Sequence, residues 1–265
     1  TNFVEIINMR IIRLLTGYFF MGSLSFMLLT CTKLASDFDE KSSIAEILAG
    51  ASEAYEKGDF SRSAEIFLKV EEYFPYSDES RMALVKAIEA YHKGANFLEL
   101  RSVSKKFIEL YPESKHAPYA KYMVGMSYFE QIIDVERDQG ATRDSMREFF
   151  ELNTLYPNSK YQALAKKNIK IAQNQLAGQE MAVGRYYLKK ENPLSALKRF
   201  QSVMYDHKNT PFYPESLYRT VETYLMMGVD RQALDTYNSL RKKFPDSKWT
   251  SLASIQIKES RLKDK

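Results

Sequence analysis

A four-residue phrase recurs along this chain: an aromatic residue, proline, any residue and serine. Its copies begin at Phe74, Tyr111, Tyr156 and Phe244. Proline cannot continue a helix, because it lacks an N–H group and crowds the preceding turn. Serine is a good N-cap, since its side-chain oxygen accepts a backbone hydrogen bond at a helix start. Each copy therefore predicts that one helix ends and the next begins. The predicted N-caps are Ser77, Ser114, Ser159 and Ser247.

The residues before each proline repeat a small, aromatic and aliphatic pattern at helical spacing. A fifth copy is centred on Lys208, where Thr210 replaces the serine and Pro211 takes the first helical position. The pattern resembles the second helix of a tetratricopeptide repeat. The predicted core residues are Ser63, Phe67, Val70, Leu100, Ser104, Phe107, Ser145, Phe149, Leu152, Ala196, Phe200, Val203, Ala233, Tyr237 and Leu240.

The remaining pattern after residue 44 is also helical, since apolar residues recur at spacings of three and four. We therefore predict an all-α fold, a right-handed superhelical solenoid of about five tetratricopeptide-like helix pairs plus a C-terminal capping helix. In this prediction residues 44–158 form repeats 1–3, and residues 159–265 form repeats 4–5 and the cap.

Glycines mark the turns inside the predicted helix pairs, and a tryptophan marks the cap. Gly58, Gly94 and Gly228 are expected to be C-caps, each followed by a polar helix start. Trp249 is expected to cover the last apolar groove, with ligand stacking as the alternative.

The N-terminal residues 1–30 have the pattern of an export signal. Arg10 and Arg13 precede a short apolar stretch, as in the basic and hydrophobic regions of a signal peptide. Met9 is the more natural start, and residues 1–8 are then an upstream extension.

Cys31 follows that apolar stretch and is the single cysteine of the chain. Its context resembles the lipobox of bacterial lipoproteins, although Thr30 departs from the usual small residue before the cysteine. We expect lipidation at Cys31 and a flexible tether over residues 31–43, because two or three acyl chains anchor a protein stably. Thr32, in place of Asp, favours the outer membrane. An uncleaved signal-anchor is the alternative.

Composition argues against nucleic acid, and the motifs argue against catalysis. The chain carries 38 Lys and Arg against 34 Asp and Glu, a small and dispersed excess. His92, His116 and His207 stand too far apart for a metal-binding motif. No phosphate loop or nucleophile elbow is present, so we expect no metal, no cofactor and no enzyme. An enzyme whose site is hidden in the groove is the competing hypothesis.

A charged segment interrupts the predicted third repeat at residues 132–142. Asp138 or Thr142 is expected to cap a helix that begins near Arg143, and Arg137 to pair with a neighbouring aspartate. The alternative is an exposed docking loop.

The ordered set of unusual segments resembles the BamD (ComL) family of outer-membrane lipoproteins over residues 31–250. The segments that match are Asp134–Gln139 with Thr142, Tyr156–Tyr161, Leu176-Ala177, Glu180, Val183-Gly184, Tyr186-Tyr187 and Ala196–Arg199. The resemblance implies a non-enzymatic scaffold of the β-barrel assembly machinery. It implies that N-terminal repeats receive segments of unfolded outer-membrane proteins. It also implies that C-terminal repeats bind the periplasmic domain of a BamA-like barrel subunit, alongside other assembly lipoproteins.

The resemblance also assigns candidate partner contacts. Arg199 matches a family arginine linked to the barrel subunit, although a surface ion pair is an equal alternative, and Arg137 and Asp138 match the charged loop. Candidate groove residues lie on first helices, where core packing is the alternative. They are Tyr55, Tyr91 and Tyr128.

The implied location is the outer membrane of a Gram-negative bacterium, with the chain lipid-anchored and facing the periplasm. The competing function is a periplasmic repeat adaptor that coordinates cell-wall synthesis or cell division. Such adaptors share the aromatic-Pro-x-Ser phrase. They are not expected to carry the charged loop or the lipidated cysteine.

Overall fold

The computed structural model describes residues 38–132, 134 and 137–263. These residues form eleven α-helices and no strand, and all the helices lie in one compact unit, Ile44–Lys265. The export signal and Cys31 lie outside the described residues. The helices are α1 (Ile44–Glu56), α2 (Phe60–Tyr73), α3 (Asp78–Lys93), α4 (Phe97–Leu110), α5 (Ala117–Phe129), α6 (Gly140–Leu155), α7 (Tyr161–Lys189), α8 (Pro193–Asp206), α9 (Tyr213–Met226), α10 (Asp230–Lys243) and α11 (Lys248–Lys263).

The helices pack in chain order as five pairs followed by a single helix. Each helix contacts the next one, and first helices of neighbouring pairs also meet: α1 with α3, α3 with α5, α5 with α7, and α9 with α11. A pair leaves an apolar face that only its neighbour covers, which is the logic of a solenoid. The predicted all-α solenoid of tetratricopeptide-like pairs with a final capping helix is confirmed.

The predicted core pattern is confirmed along the whole array. Every core residue named from the sequence is buried except Tyr237, which is half-buried against the last apolar cluster. Phe107, Phe149 and Phe200 are fully buried, and each such side chain contributes roughly 1.5–3 kcal/mol. The aromatic position of the second helix therefore lies at the centre of the first four pairs.

Two glycines on first helices make room for those aromatic rings. A Cβ atom at Gly125 would lie 2.4 Å from Cε1 of Phe149, and one at Gly184 would lie 2.4 Å from Cε1 of Phe200. Such distances are too short for carbon atoms, so the close approach of the paired helices requires glycine here.

The repeated phrase ends helices as predicted, and its serine caps two of the helices that follow, α3 and α11. The aromatic residue is the C-cap of the second helix, with its backbone N–H donated to the aliphatic core residue four positions earlier, as from Phe74 to Val70. Ser77 is the N-cap of α3 and accepts from the backbone N–H of Ser80 at 2.9 Å. Before α11, which begins at Lys248, Oγ of Ser247 accepts from the backbone N–H of Trp249 at 3.2 Å.

The N-cap prediction is wrong for Ser114 and Ser159, because α5 and α7 begin later, at Ala117 and Tyr161. In the later copies the serine N–H donates to the carbonyl of the aromatic residue three positions earlier, at 3.1 Å from Ser114 to Tyr111. At Ser114 and Ser159 the next helix therefore begins two or three residues after the serine.

All three glycines lie at the ends of their helices, but only two of them are left-handed. Gly58 and Gly228 have φ of 80° and 66°, the left-handed conformation that favours glycine. At the turn between α3 and α4 the left-handed residue is Ala95, with φ of 55°. Gly94 itself is the C-cap of α3 and has a right-handed conformation, with φ of −78°.

The last helix covers the end of the array. The Trp249 ring stacks on Tyr218 with 5.3 Å between centroids and packs against the final apolar cluster. This placement agrees with the predicted capping role of Trp249.

A buried ion cluster joins the helices of the third pair. Nζ of Lys121 lies 2.7 Å from Oε2 of Glu148 and 2.6 Å from Oε2 of Glu151, with Lys121 and Glu148 almost fully buried. Burial alone would lower the pKa of Lys121, but the hydrogen bonds to both carboxylates raise it overall. The ammonium group is therefore held in its charged form.

Candidate functional site

An open apolar groove lies between α1, α2 and α3. Its volume is about 600 Å³, which is in the usual range for ligand sites. Its walls are predominantly apolar and its rim carries polar and charged side chains. The wall residues are Leu48, Tyr55, Phe67, Met82 and Ala83, and the rim residues are Ser52, Glu56, Asp78, Glu79 and Lys86.

Tyr55, a candidate from the sequence, lies on the wall of this groove in a fixed orientation. Its hydroxyl donates to Oε1 of Glu89 at 3.0 Å, and its ring meets Phe60 edge to face at 5.1 Å. Burial tends to raise the pKa of Glu89, but hydrogen bonds from Lys86 and Tyr55 lower it. Glu89 therefore remains a charged acceptor that holds Tyr55 in place.

The two other candidate tyrosines lie elsewhere. Tyr91 is only 5% exposed, and burial, with Glu65 and Glu99 nearby, raises its pKa to about 12. That burial favours the core-packing alternative for Tyr91. Tyr128 is half-buried beneath the guanidinium group of Arg101, 3.6 Å from the ring centroid. Of the three, Tyr55 alone lines the groove.

The charged loop is organised by a side chain that the sequence analysis did not single out. Gln139 is 1% exposed, and its Nε2 donates to the carbonyls of Asp134 and Arg137 at 3.1 and 3.0 Å. Thr142 donates from Oγ1 to Oε1 of Gln139 at 2.7 Å. The one sequence signal for this residue is a long amide side chain directly before a helix start.

The predicted caps of this loop need correction. The following helix begins at Gly140, earlier than the expected start near Arg143. Asp138 accepts from the N–H of Gly140 at 3.0 Å, whereas Thr142 is buried inside the helix. Asp138 also lies 3.7 Å from Arg143.

The same loop is exposed at Arg137 and Asp138 and is attached to the long helix α7. Nε2 of Gln179 donates to the carbonyl of Arg137 at 3.3 Å. Two charged side chains are thereby presented on a constrained backbone.

Arg199 lies on α8 and forms an ion pair with α7. Its NH1 lies 3.2 Å from both carboxylate oxygens of Glu180, and its side chain is 42% exposed. This is the surface ion pair that the sequence analysis gave as the alternative, and it leaves part of the guanidinium group accessible.

A second cavity, of about 480 Å³, lies between α9, α11 and the start of α10. Unlike the first, it is mainly polar, with Glu222, Asp230, Gln256 and Glu259 among its lining residues. The carboxylate of Glu222 accepts from Arg219 at 2.7 Å. The sequence pattern does not reveal this cavity, because its residues come from separate helices.

The three histidines lie in different local environments. His92 lies 2.8 Å from Glu130, and burial lowers the pKa values of His116 and His207. Across the part of the chain that the structure describes, no group of acidic, histidine or cysteine side chains is placed to hold a metal ion. Within the same residues, no helix combines the length and the apolar character needed to span a bilayer.

The fold and the groove define a tetratricopeptide-type repeat protein with an open apolar surface on its first helices. The family model described as YfiO, outer membrane lipoprotein, matches residues 40–240. The chain is 37% identical over 194 residues to the outer membrane protein assembly factor BamD of Caulobacter vibrioides, covering 73% of this chain and 64% of that protein. It is 34% identical over 203 residues to BamD of Rickettsia prowazekii, covering 77% and 81%.

The chain therefore belongs to the YfiO family of outer membrane lipoproteins, with which the resemblance found in the sequence agrees. The match spans less than two thirds of the Caulobacter relative's length. Among solved structures, the TPR2AB-domain complex of yeast Sti1 is similar with a TM-score of 0.40 and 15% identity, covering 82% of this chain and 84% of that one. That likeness is too distant to carry an argument.

Proposed function

We propose that this chain is a non-enzymatic scaffold lipoprotein of the β-barrel assembly machinery. In this function it binds unfolded segments of outer-membrane proteins and the BamA-like barrel subunit that inserts them. Family membership supports the proposal, since the relatives bear the name of an outer membrane protein assembly factor. The observation that carries it is the apolar groove between the first two repeats.

The groove suits a peptide whose side chains alternate between apolar and polar. An unfolded barrel strand has that pattern, with period two. Its apolar side chains would enter between Leu48, Phe67 and Met82, where each buried Å² of apolar surface contributes about 25 cal/mol. The fixed orientation of Tyr55 reduces the conformational entropy lost on binding.

The second part of the proposal places the barrel subunit on the C-terminal repeats. Arg199 would contribute its exposed edge, and the loop residues Arg137 and Asp138 would offer further charged contacts. Arginine suits this part because its planar fork can bind Glu180 and a partner carboxylate together. Arg199→Glu should weaken binding of the isolated barrel subunit. The matched control is Lys198→Glu, which changes an exposed residue on the same helix. If the Arg199→Glu variant binds the subunit as tightly as the control does, Arg199 is not part of the interface.

Membrane attachment is assigned to Cys31, which lies outside the described residues. Cys31→Ser should move the chain from the membrane fraction to the soluble fraction, because the acyl anchor is lost. Thr32→Ser should leave it in the membrane fraction. A Cys31→Ser chain that remains membrane-bound would contradict lipidation.

In-cell photo-crosslinking tests the proposal directly. A photoreactive residue at Ser52, which is exposed on the groove rim, should yield adducts with outer-membrane proteins. The control places the same photoreactive residue at Leu98, which is 70% exposed on α4, the second helix of its pair. This control should yield no such adducts. Recovery of cell-wall enzymes without any barrel protein would instead support the adaptor alternative.

A further inference from the structure

The rim of the apolar groove is acidic. Three carboxylates, those of Glu56, Asp78 and Glu79, line it together with one ammonium group, that of Lys86. The Lys86 charge is already compensated, because its Nζ lies 3.0 Å from Oε2 of Glu89. The groove therefore presents an apolar interior with a negative edge.

Two of the three carboxylates are available for a ligand. Asp78 pairs with Arg81 at 2.7 Å. Glu56 and Glu79 have no side-chain hydrogen bond or ion pair to any residue in the described part of the chain, and both are exposed. Their charge is not consumed by the fold.

Helix electrostatics explains only part of this acidic rim. Glu79 lies in the first turn of α3, where the helix dipole favours a carboxylate. Glu56 is the last residue of α1, where the same dipole disfavours one. The helix dipole therefore does not account for Glu56, and its charge is available to a positively charged ligand.

We propose that the groove selects polypeptide segments in which a large apolar side chain is adjacent to Lys or Arg. This inference rests on the proposed function, namely that the groove binds unfolded client segments. The apolar side chain packs against Leu48, Phe67 and Met82, and the neighbouring cation meets Glu56 and Glu79 at the rim. Charge at the rim thereby adds selectivity to an apolar contact that would accept many sequences.

The expected preference is modest, because the carboxylates are exposed. Exposed ion pairs are individually weak and are screened by salt. Two of them should give about a three- to tenfold difference in Kd between a cationic and an anionic neighbour at low ionic strength. That difference should shrink as salt is added.

Three matched synthetic peptides provide the test. Each carries one Phe in an otherwise Gly, Ser and Thr context, followed by Lys, Gln or Glu. Fluorescence anisotropy measures the Kd of each for the full chain in detergent, with wild type compared with a Glu56→Gln, Glu79→Gln double variant. Circular dichroism establishes that both proteins have the same helix content and melting temperature.

We expect the Lys peptide to bind wild type most tightly and the Glu peptide least, with the ratio reduced to within twofold in the double variant. If all three peptides bind wild type equally and Met82→Glu abolishes their binding, the charge selection is wrong while the client groove stands. If the preference survives in the double variant, other charges are responsible and the assignment to Glu56 and Glu79 is overturned. If no peptide binds wild type, both the charge selection and the proposed binding of client segments in the groove are wrong.

Discussion

The two ends of the repeat array each carry a cavity, and the two cavities differ in chemistry. One lies between the first helices α1 and α3, and the other between α9 and α11. Leu48, Phe67 and Met82 line the N-terminal cavity, whereas carboxylates and an amide dominate the lining of the C-terminal one. The stacking of helix pairs thus creates the cavity. The exposed residues of the first helices decide what it can bind.

One ion pair from each half shows a second contrast, in burial. Lys121 is buried with Glu148 in the third pair. In the C-terminal half Arg185 lies 3.0 Å from Glu215 and is 41% exposed. Buried pairs are costly to break, and exposed pairs contribute little. These two ion pairs therefore differ in how much stability they should contribute, because only the first is buried.

The largest expected effect is the loss of the buried pair. Lys121→Met should lower the free energy of unfolding by about 3–5 kcal/mol, because Glu148 is left buried without its cation. Arg185→Met should lower it by less than about 1 kcal/mol. Urea denaturation measures both. Similar losses from the two variants would remove the contrast between these two ion pairs.

The same buried pair predicts a dependence on pH. Because the pKa of Lys121 is raised, the contribution of the pair to stability should persist at neutral pH. It should be lost as pH rises through the pKa of Lys121 in the folded state, which lies above the ~10.4 of an unfolded lysine.

A feature that both halves share is predicted to matter next. Gly184→Ala should destabilise the chain by about 1–3 kcal/mol, because the new methyl group would overlap the Phe200 ring. The double variant Gly184→Ala, Phe200→Leu should lose less stability than the sum of the losses in the two single variants. A double-mutant cycle in urea measures the coupling, and strict additivity would show that the ring is not the obstacle.

A matched pair of methionines tests the chemistry of the two cavities. Met82 is 41% exposed on the apolar groove and Met226 is 51% exposed on the polar cavity. Met82→Glu should weaken binding of an apolar peptide at least about tenfold, or ~1.4 kcal/mol, since a carboxylate would have to be desolvated. Met226→Glu should change it less than about twofold. Equal effects would mean that the groove is not the binding surface.

The smallest expected effect concerns the degenerate fifth copy of the phrase, where His207 replaces the aromatic residue. Burial lowers the pKa of His207, outweighing the opposing charges of Asp206 and Glu180. Its contribution to stability is therefore present above the unfolded pKa of ~6.5 and is lost as pH falls through the lower folded value. His207→Phe should stabilise the chain more at acidic than at neutral pH, as measured by thermal melting. If the difference in melting temperature between His207→Phe and wild type is the same at acidic and neutral pH, His207 does not have the lowered pKa assigned to it.

The helices and the core of each pair were predictable, because their signals are local. The spacing that buries Phe67, Phe149 and Phe200 is a property of a single helix and recurs with each proline. The start of the next helix was less predictable. Ser77 caps α3 directly, but α5 begins only at Ala117, since the neighbouring pair determines where the chain can turn.

The candidate site was predictable only in part. Tyr55 and Tyr91 looked equivalent, since both lie on first helices, yet Tyr55 lines the groove and Tyr91 is buried. Helical periodicity gives the angle of a side chain about its own axis. It does not say which side a neighbouring helix will cover. For the same reason the pattern gave no sign of Gln139 as the centre of its loop.

The sequence by itself determined that this chain is an array of helix pairs, because proline stops and spaced apolar residues act within a few residues of one another. Only the tertiary structure decided which exposed side chains share a cavity and which charges are consumed inside the fold. Those outcomes depend on distances between residues far apart in the chain, such as Glu56 and Glu79 at one rim, and these distances arise only when the pairs pack together.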